Sequence, residues 1–333
     1  MIAEIIIAYI GAILIDKYKN QSKNILITTL FIHVFLLIIF KYTDFIIQSI
    51  NDISNANIKL LNIALPIGIS FYTFQIISYL IDVYNGKVKV QKNIINLATY
   101  VSLFPQLVAG PIVRYETIND ELDNRKQTFN DFSSGISRFI IGLSKKVLIA
   151  NILGELCNIF ILSNEKTVLF YWIYGISYSL QIYFDFSAYS DMAIGLGRMF
   201  GFHFMENFDY PYISKSITEF WRRWHITLGT WLKEYIFYPI SLSKLNMKLN
   251  LKLRKMKSKY ISRFIITAFP LFFVWFFNGM WHGASFKYVV YGLYYYVLMM
   301  IGILLEPVFK KIISIFKINA KIRINRNTFM VCF

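Results

Sequence analysis

The sequence is poor in charge. Charged residues make up 16% of the 333 residues, whereas an ordinary soluble domain carries roughly 25%. Hydrophobic residues make up 56% and aromatic residues 18%. So much apolar surface rules out a disordered chain. It also exceeds what one small water-soluble core could bury, because surface positions would then be apolar as well. The composition therefore predicts a polytopic membrane protein.

Acidic residues are fewer than basic ones. The sequence has 19 Asp and Glu residues against 35 Lys and Arg residues, which gives a formal net charge of +16. In membrane proteins Lys and Arg collect in cytoplasmic loops. Two stretches, 241–263 and 310–326, together hold fourteen basic residues and no acid, so both are predicted to be cytoplasmic. Nucleic-acid binding is the rival explanation. The basic residues lie between apolar runs instead of on a soluble basic face, so no nucleic-acid partner is expected.

Cysteine and histidine are also few. Cys157 and Cys332 suggest neither a disulfide framework nor a metal site. The four histidines lack metal-ligand spacing, so no metal is expected. The basic residues near the N-terminus follow the apolar segment 2–15 instead of preceding it. That order predicts a membrane segment and not a secretory signal peptide.

Apolar runs long enough to span or enter the bilayer recur along the chain. They are 25–40, 61–81, 94–113, 136–162, 168–188, 263–280 and 289–305. Prolines break the third run and a lysine pair interrupts the fourth, which favours re-entrant or interfacial helices there. The predicted fold class is therefore all-α, a polytopic transmembrane helical protein. The last two runs would form a hairpin with its turn at 278–285.

Residues 189–201 continue the 168–188 run with several glycines. Ala193, Gly197 and Gly201 recur at a spacing of four, a stripe that lets membrane helices approach closely. Tyr183–Asp191 adds two carboxylates, Asp185 and Asp191, to an otherwise apolar span. Six residues apart, they do not share one helix face and are predicted to meet different partners. The candidates are Arg198, Arg222, Arg223 or a histidine ring, and buried helix–helix hydrogen bonding is the structural alternative.

Two of the four histidines have unusual surroundings; His33 and His203 are interpreted as structural. Ser216 and Glu219 predict a helix start, and Pro239 predicts its end. Along that helix one face carries Trp221, His225, Leu228, Leu232 and Tyr235. An interfacial amphipathic helix would explain the aromatic and arginine residues. It would not explain a buried imidazole, which needs a partner.

His282 follows about 18 nearly uncharged apolar residues, in the segment Asn278–Gly283. A titratable group at membrane depth indicates a functional site, and imidazole is the usual general base near neutral pH. A further candidate is the loop 104–116, whose prolines and Gly110 mark a non-helical segment that would either line a cavity or merely connect helices.

Four segments together resemble the membrane-bound O-acyltransferases, and within them the bacterial alginate and peptidoglycan O-acetylation branch. They are 104–115, 183–195, 216–225 and 278–283, and residues 65–75 and 79–84 also fit. The amino-acid sequence of residues 109–114 favours this branch over the related D-alanyl transferases for teichoic acids. Relatives have further helices before Ile2 and after the hairpin. The chain is therefore expected to be a single membrane-embedded acyltransferase domain, 1–333, from the catalytic middle of a longer protein.

The resemblance implies a multi-pass protein of the bacterial cell membrane, surrounded by lipid, with His282 and His225 at the catalytic positions. Acetyl-CoA would be the acyl donor, with no bound cofactor, and an extracytoplasmic partner would complete transfer to a polysaccharide. The expected substrate-binding residues are Asp185, Ser187, Arg222, Arg223, Asn278 and Trp281. The arginines would meet the donor phosphates. A polysaccharide transporter and a structural membrane subunit remain the competing classes.

Overall fold

The computed structural model describes residues 1–107, 110–164, 167–253, 255–256 and 258–315. Parts of several sequence features lie outside these residues. They are Ala109 in the proline-containing loop, Arg254 and Lys257 in the first basic stretch, most of the second basic stretch, and Cys332. The cytoplasmic location of the two basic stretches stays a prediction.

Within the described residues every regular element is helical, which confirms the all-α class. The α-helices are α1 (Ile2–Lys17), α2 (Ser22–Ser54), α3 (Ile69–Tyr84), α4 (Ile94–Ser102), α5 (Phe104–Leu107), α6 (Tyr115–Asn124), α7 (Phe129–Ser144), α8 (Asn151–Leu162), α9 (Val168–Met199), α10 (Ile217–Arg223), α11 (Ile226–Leu232), α12 (Tyr238–Ser241), α13 (Lys244–Leu253), α14 (Lys259–His282) and α15 (Phe286–Ile315). Three helical stretches in the described part are long and apolar enough to cross a membrane: Lys19–Ser54, Lys259–His282 and Phe286–Val308.

The helices form two compact units. The first comprises residues 1–40 and 64–209, and the second comprises residues 41–63 and 210–333. Helix α2 contributes its first half to one unit and its second half to the other. That the whole chain acts as one acyltransferase domain stays a prediction.

Two of the apolar runs contain non-helical residues. In the run 61–81, residues up to Gly68 are non-helical and α3 begins only at Ile69. Gly68, with φ +73°, makes the turn into α3, and Pro66 just before it lacks the N–H that a helix needs. The run 94–113 is broken, as its prolines predicted, into the short helices α4 and α5 followed by non-helical residues 110–114.

In the fourth apolar run, 136–162, the structure explains why a pair of lysines, Lys145 and Lys146, interrupts an apolar segment. A π-helical turn, Lys145–Ala150, joins α7 to α8, and such turns shift the side chains that follow. Lys145 Nζ lies 2.6 Å from the Asp191 carboxylate, and Lys146 pairs with Asp185. Arg138 also donates to Asp191, at 2.9 Å. The two carboxylates of α9 therefore have different partners, as predicted. The partners are lysines and an arginine of α7 and the π-turn, not the arginines or histidines that were expected.

Replacing Asp191 by asparagine is expected to destabilise the protein by about 1–3 kcal/mol, because a buried carboxylate charge that pairs with two cationic donors is lost and only one amide oxygen remains to accept from them. Asp191 is only 6% exposed. The matched change Asp185→Asn should cost at most about 1 kcal/mol, since that side chain and its Lys146 partner are each 39% exposed and water screens the pair. Thermal unfolding of the two variants in detergent measures the difference. Equal losses of stability would contradict it.

The small-residue stripe of α9 serves a different packing role from the one expected. A β-carbon on Gly195, which is outside the stripe, would lie 2.6 Å from the Gly135 carbonyl oxygen. Gly195 therefore lets α7 and α9 approach closely, together with Gly135 and Gly142 of α7. Within the stripe, a β-carbon on Gly197 would instead lie 2.7 Å from the Phe204 ring, and Gly201 adopts a positive φ of +79°. The structure confirms that a small residue of α9 allows close helix contact, but this residue is Gly195 and not one of the three predicted.

Candidate functional site

The segment that carries His225 is not the single helix expected from its periodicity. Helix α10 begins as predicted, with the Ser216 hydroxyl accepting the Glu219 N–H at 3.1 Å. The Glu219 carboxylate accepts the Lys215 N–H at 3.0 Å. The helix then ends at Arg223, and His225 adopts φ +46° and ψ +54° as the N-cap of α11. Nor does Pro239 end the segment: a π-helical turn, Lys233–Phe237, follows α11 and leads directly into α12, which contains Pro239 and ends at Ser241.

The left-handed conformation of His225 is a strained one. Positive φ is uncommon for residues with a β-carbon, and it persists only where surrounding structure imposes it. His225 is 3% exposed, so packing supplies that constraint. Although the helix is broken, four residues of the predicted face still line one cavity: Trp221, His225, Leu228 and Leu232.

His282 lies at the end of α14, in the hairpin formed with α15. The helix continues through the predicted turn as far as His282, and Gly283 follows in extended conformation. Close contact holds the hairpin together. A β-carbon on Gly279 would lie 2.3 Å from the Tyr288 carbonyl oxygen, and one on Gly292 would lie 2.3 Å from that of Trp275. Only glycine at both positions allows the two backbones to approach this closely.

The two histidines meet at one small cavity in the second unit, with a volume of about 30 Å³. Its walls are Trp221, Trp224, His225, Leu228, Gly229, Leu232, Val274, Trp275, Asn278 and His282. The Trp281 ring packs against both imidazoles, with its centroid 5.4 Å from that of His225 and 4.8 Å from that of His282. His225 is buried, whereas His282 is exposed. One imidazole therefore sits inside the wall and the other remains accessible.

Two polar groups of the cavity wall, His225 and Asn278, are buried. Burial lowers the pKa of His225 to about 3, and the nearby His282 acts in the same direction. His225 is therefore a neutral imidazole near pH 7. The amide oxygen of Asn278 is buried, and within the described residues it has no hydrogen-bond partner. An unsatisfied buried acceptor costs about 1–3 kcal/mol, and a polar ligand in the cavity could offset that cost.

The arginines, Asp185 and Ser187, which were also predicted as site residues, are not among the residues that line this cavity. Arg223 donates to Glu219 one helical turn earlier, at 3.1 Å. Arg222 is half-buried at the end of α10. Asp185 and Ser187 belong to the first unit, where Asp185 pairs with Lys146 and the buried Ser187 hydroxyl lies 3.5 Å from the Phe184 carbonyl oxygen. The expectation that Asp185 orients an imidazole or counters an arginine is corrected by that lysine contact.

Sequence reasoning missed two groups of residues beside the cavity. The first is a ring cluster in which Trp221 packs edge-on against Trp275 at 4.9 Å and against Tyr295 at 4.8 Å. Trp221 was predicted to share a helix face with His225, but aromatic residues are so common in this chain that nothing in the sequence distinguishes Trp275 and Tyr295. The second is the pair Lys41 and Tyr42 on α2, which contacts the end of α14. A lysine directly after the apolar run 25–40 was the available signal.

Three features together define a class of membrane protein. They are a hairpin with a histidine at its turn, a second histidine at a helix break, and a cavity that both histidines line. Residues 87–253 match the model of the MBOAT, membrane-bound O-acyltransferase family, and the chain belongs to this family. It is a multi-pass membrane protein, as its composition predicted.

Particular relatives extend the match. A probable alginate O-acetylase AlgI of Pseudomonas aeruginosa is 43% identical over 257 residues, which cover 76% of this chain and 46% of that protein. A peptidoglycan O-acetyltransferase of Helicobacter pylori is 33% identical over 323 residues, covering 88% and 58%. A teichoic acid D-alanyltransferase of Bacillus subtilis is 30% identical over 241 residues, covering 70% and 58%. The chain spans about half the length of the curated relatives it matches.

Proposed function

We propose that the protein is the membrane subunit of an O-acetyltransferase. It would take an acetyl group from a cytoplasmic thioester donor, acetyl-CoA, and pass it across the membrane for O-acetylation of an extracytoplasmic polysaccharide related to alginate or peptidoglycan. An extracytoplasmic partner protein would complete the transfer. The observation that carries the proposal is the shared cavity, because it gathers two imidazoles and the unpaired Asn278 oxygen at the end of a membrane-spanning helix.

The proposed reaction needs a base, a nucleophile and a stabilised carbonyl oxygen. His282 takes the proton from the acceptor hydroxyl while that oxygen attacks the thioester carbon. A carbon–oxygen bond forms, the carbon–sulfur bond breaks, and the proton passes on to the leaving thiolate to give the free thiol. His282 suits the role of base because it is the exposed imidazole and can reach a bulky acceptor.

His225 would act on the other side of the reacting group. Its imidazole is buried and neutral, so a ring N–H can donate to the carbonyl oxygen without carrying a charge of its own. Trp281 and Asn278 would orient the acyl group. Arg222 and Arg223 would meet the phosphates of acetyl-CoA, and Asp185 and Ser187 are proposed to bind substrate as the motif match implies.

Label transfer tests the proposal. Membranes containing the protein and its extracytoplasmic partner are given radiolabelled acetyl-CoA, and a parallel sample receives a radiolabelled D-alanyl carrier donor. Label from acetyl-CoA is expected in the polysaccharide or in the partner. Label from the D-alanyl donor alone would establish the teichoic acid alternative, which the Bacillus subtilis relative favours. No label from either donor would favour a transporter or a structural subunit.

A further inference from the structure

Helix α2 contacts the end of α14 beside His282. Lys41 Nζ donates to the Trp281 carbonyl oxygen at 2.5 Å, and the Tyr42 hydroxyl donates to the Met280 carbonyl oxygen at 2.7 Å. Both carbonyls belong to the last turn of the helix, whose final carbonyls lack i+4 helical N–H partners; the Met280 carbonyl also accepts the Gly283 N–H, at 3.3 Å. The two side chains therefore cap the turn that ends in His282.

The same part of α2 also reaches the far side of the hairpin turn. The Phe45 ring packs edge-on against Phe286, the first residue of α15, at 5.0 Å. Residues 41–45 thus contact both helices of the hairpin on either side of Gly283–Ser285. Asp44 in turn accepts the backbone N–H groups of Leu61 and Asn62, at 2.8 and 3.0 Å, and so ties this stretch of α2 to the segment that follows it.

Lys41 differs from Tyr42, the other side chain that caps α14, because it brings a charge. It is half-buried, and a cation at the C-terminal end of a helix interacts favourably with the helix dipole. The carbonyl it contacts belongs to Trp281, which directly precedes His282 in the chain and whose ring packs against both imidazoles. A shift of this carbonyl would change the direction in which His282 leaves the helix.

We propose that Lys41 is a positioning residue for His282: it fixes the last turn of α14 and thereby sets the place and direction of the imidazole. The inference rests on the proposed function, since it assigns Lys41 to that same site. Lys41 acts through the backbone of Trp281. Displacement of a reacting group by about 1 Å costs on the order of 10²-fold in rate. Partial loosening of a turn that Tyr42 still caps should cost about 10-fold.

Four variants test the role in membranes that contain the full protein and its partner, with labelled acetyl-CoA as donor. Lys41→Met removes the charge and the hydrogen bond but keeps most of the side-chain volume. It is expected to lower kcat about 10-fold and leave the KM for acetyl-CoA within about 2-fold. Lys41→Arg retains a cationic donor and should recover most of the rate. Tyr42→Phe removes the neighbouring cap without changing charge and should have the smaller effect. Lys287→Met is the matched control, because Lys287 is an exposed cation beside the same turn that lies over the Tyr288 ring instead.

The outcomes separate the two proposals. If the unchanged protein transfers acetyl groups and Lys41→Met matches it in kcat, Lys41 has no positioning role although the proposed function holds. The role is equally overturned if Lys41→Arg is as slow as Lys41→Met, or if Lys287→Met is just as slow. If the unchanged protein transfers no acetyl group, the proposed function fails and the inference fails with it. Equal amounts of each variant in the membrane exclude loss of folding as the cause.

Discussion

Replacement of His282 by alanine is expected to reduce acetyl transfer by about 10² to 10⁴-fold, which is the usual contribution of a general base. The protein itself should remain folded and inserted, because His282 is exposed and exposed substitutions usually change stability by less than about 0.5 kcal/mol. The measurement is the rate of label transfer from acetyl-CoA, normalised to the amount of protein in the membrane. A large loss of rate at unchanged abundance would identify the imidazole as a participant in the reaction.

A second exposed histidine provides the control. His203 lies in the first unit, where its ring contacts the Glu121 carboxylate at 2.7 Å. That contact raises the pKa of His203, so the ion pair stabilises the fold at acidic pH and the contribution is lost as the pH rises through the raised pKa. His203→Ala removes an imidazole of similar exposure and should leave transfer unchanged at neutral pH. If His282→Ala transferred acetyl groups at the normal rate, or if both variants lost activity equally, the assignment of His282 as the base would be wrong.

The fold class and the membrane location could be predicted from composition and hydropathy, because a chain surrounded by lipid needs long apolar helices and few charges. Few charges, long apolar runs and prolines within one of them were enough to predict an all-helical membrane protein with interrupted helices. The lysine pair in the run 136–162 also marked an irregularity correctly. What it could not reveal was the cause, since the π-turn and the carboxylates it reaches are 39 and 46 residues apart in sequence.

The break at His225 shows where local patterns fail. Residues 221, 225, 228, 232 and 235 keep a helical spacing across it, so periodicity predicts one helix from Ser216 onward. The chain instead leaves the helix at Trp224 and places His225 in a left-handed conformation. Neither glycine nor proline marks this point, and the tertiary surroundings of the buried imidazole, which is 3% exposed, hold it there. Lys41 was missed for a related reason: its contact with Trp281 joins residues 240 positions apart.

Replacing Gly279 by alanine is expected to destabilise the protein by about 1–3 kcal/mol or more and to reduce acetyl transfer by on the order of 10²-fold. The added β-carbon would lie 2.3 Å from the Tyr288 carbonyl oxygen and 3.2 Å from the Gly292 backbone. Backbone atoms cannot rotate away as a side chain can, so α14 and α15 would have to separate. Gly279 is three residues before His282, and the displaced helix end would carry the proposed base with it.

A second helical glycine, Gly302, provides a matched control for Gly279→Ala. A β-carbon on Gly302 of α15 would meet nothing within 4 Å, so Gly302→Ala should be neutral or stabilise the protein by up to about 1 kcal/mol through helix propensity. Thermal unfolding in detergent and label transfer would be measured for both variants. Because the substitution is chemically identical in the two, a loss confined to position 279 can arise only from the contact between the helices. A Gly279→Ala protein with normal Tm and normal transfer would show instead that the hairpin tolerates separation, and that the position of His282 does not depend on it.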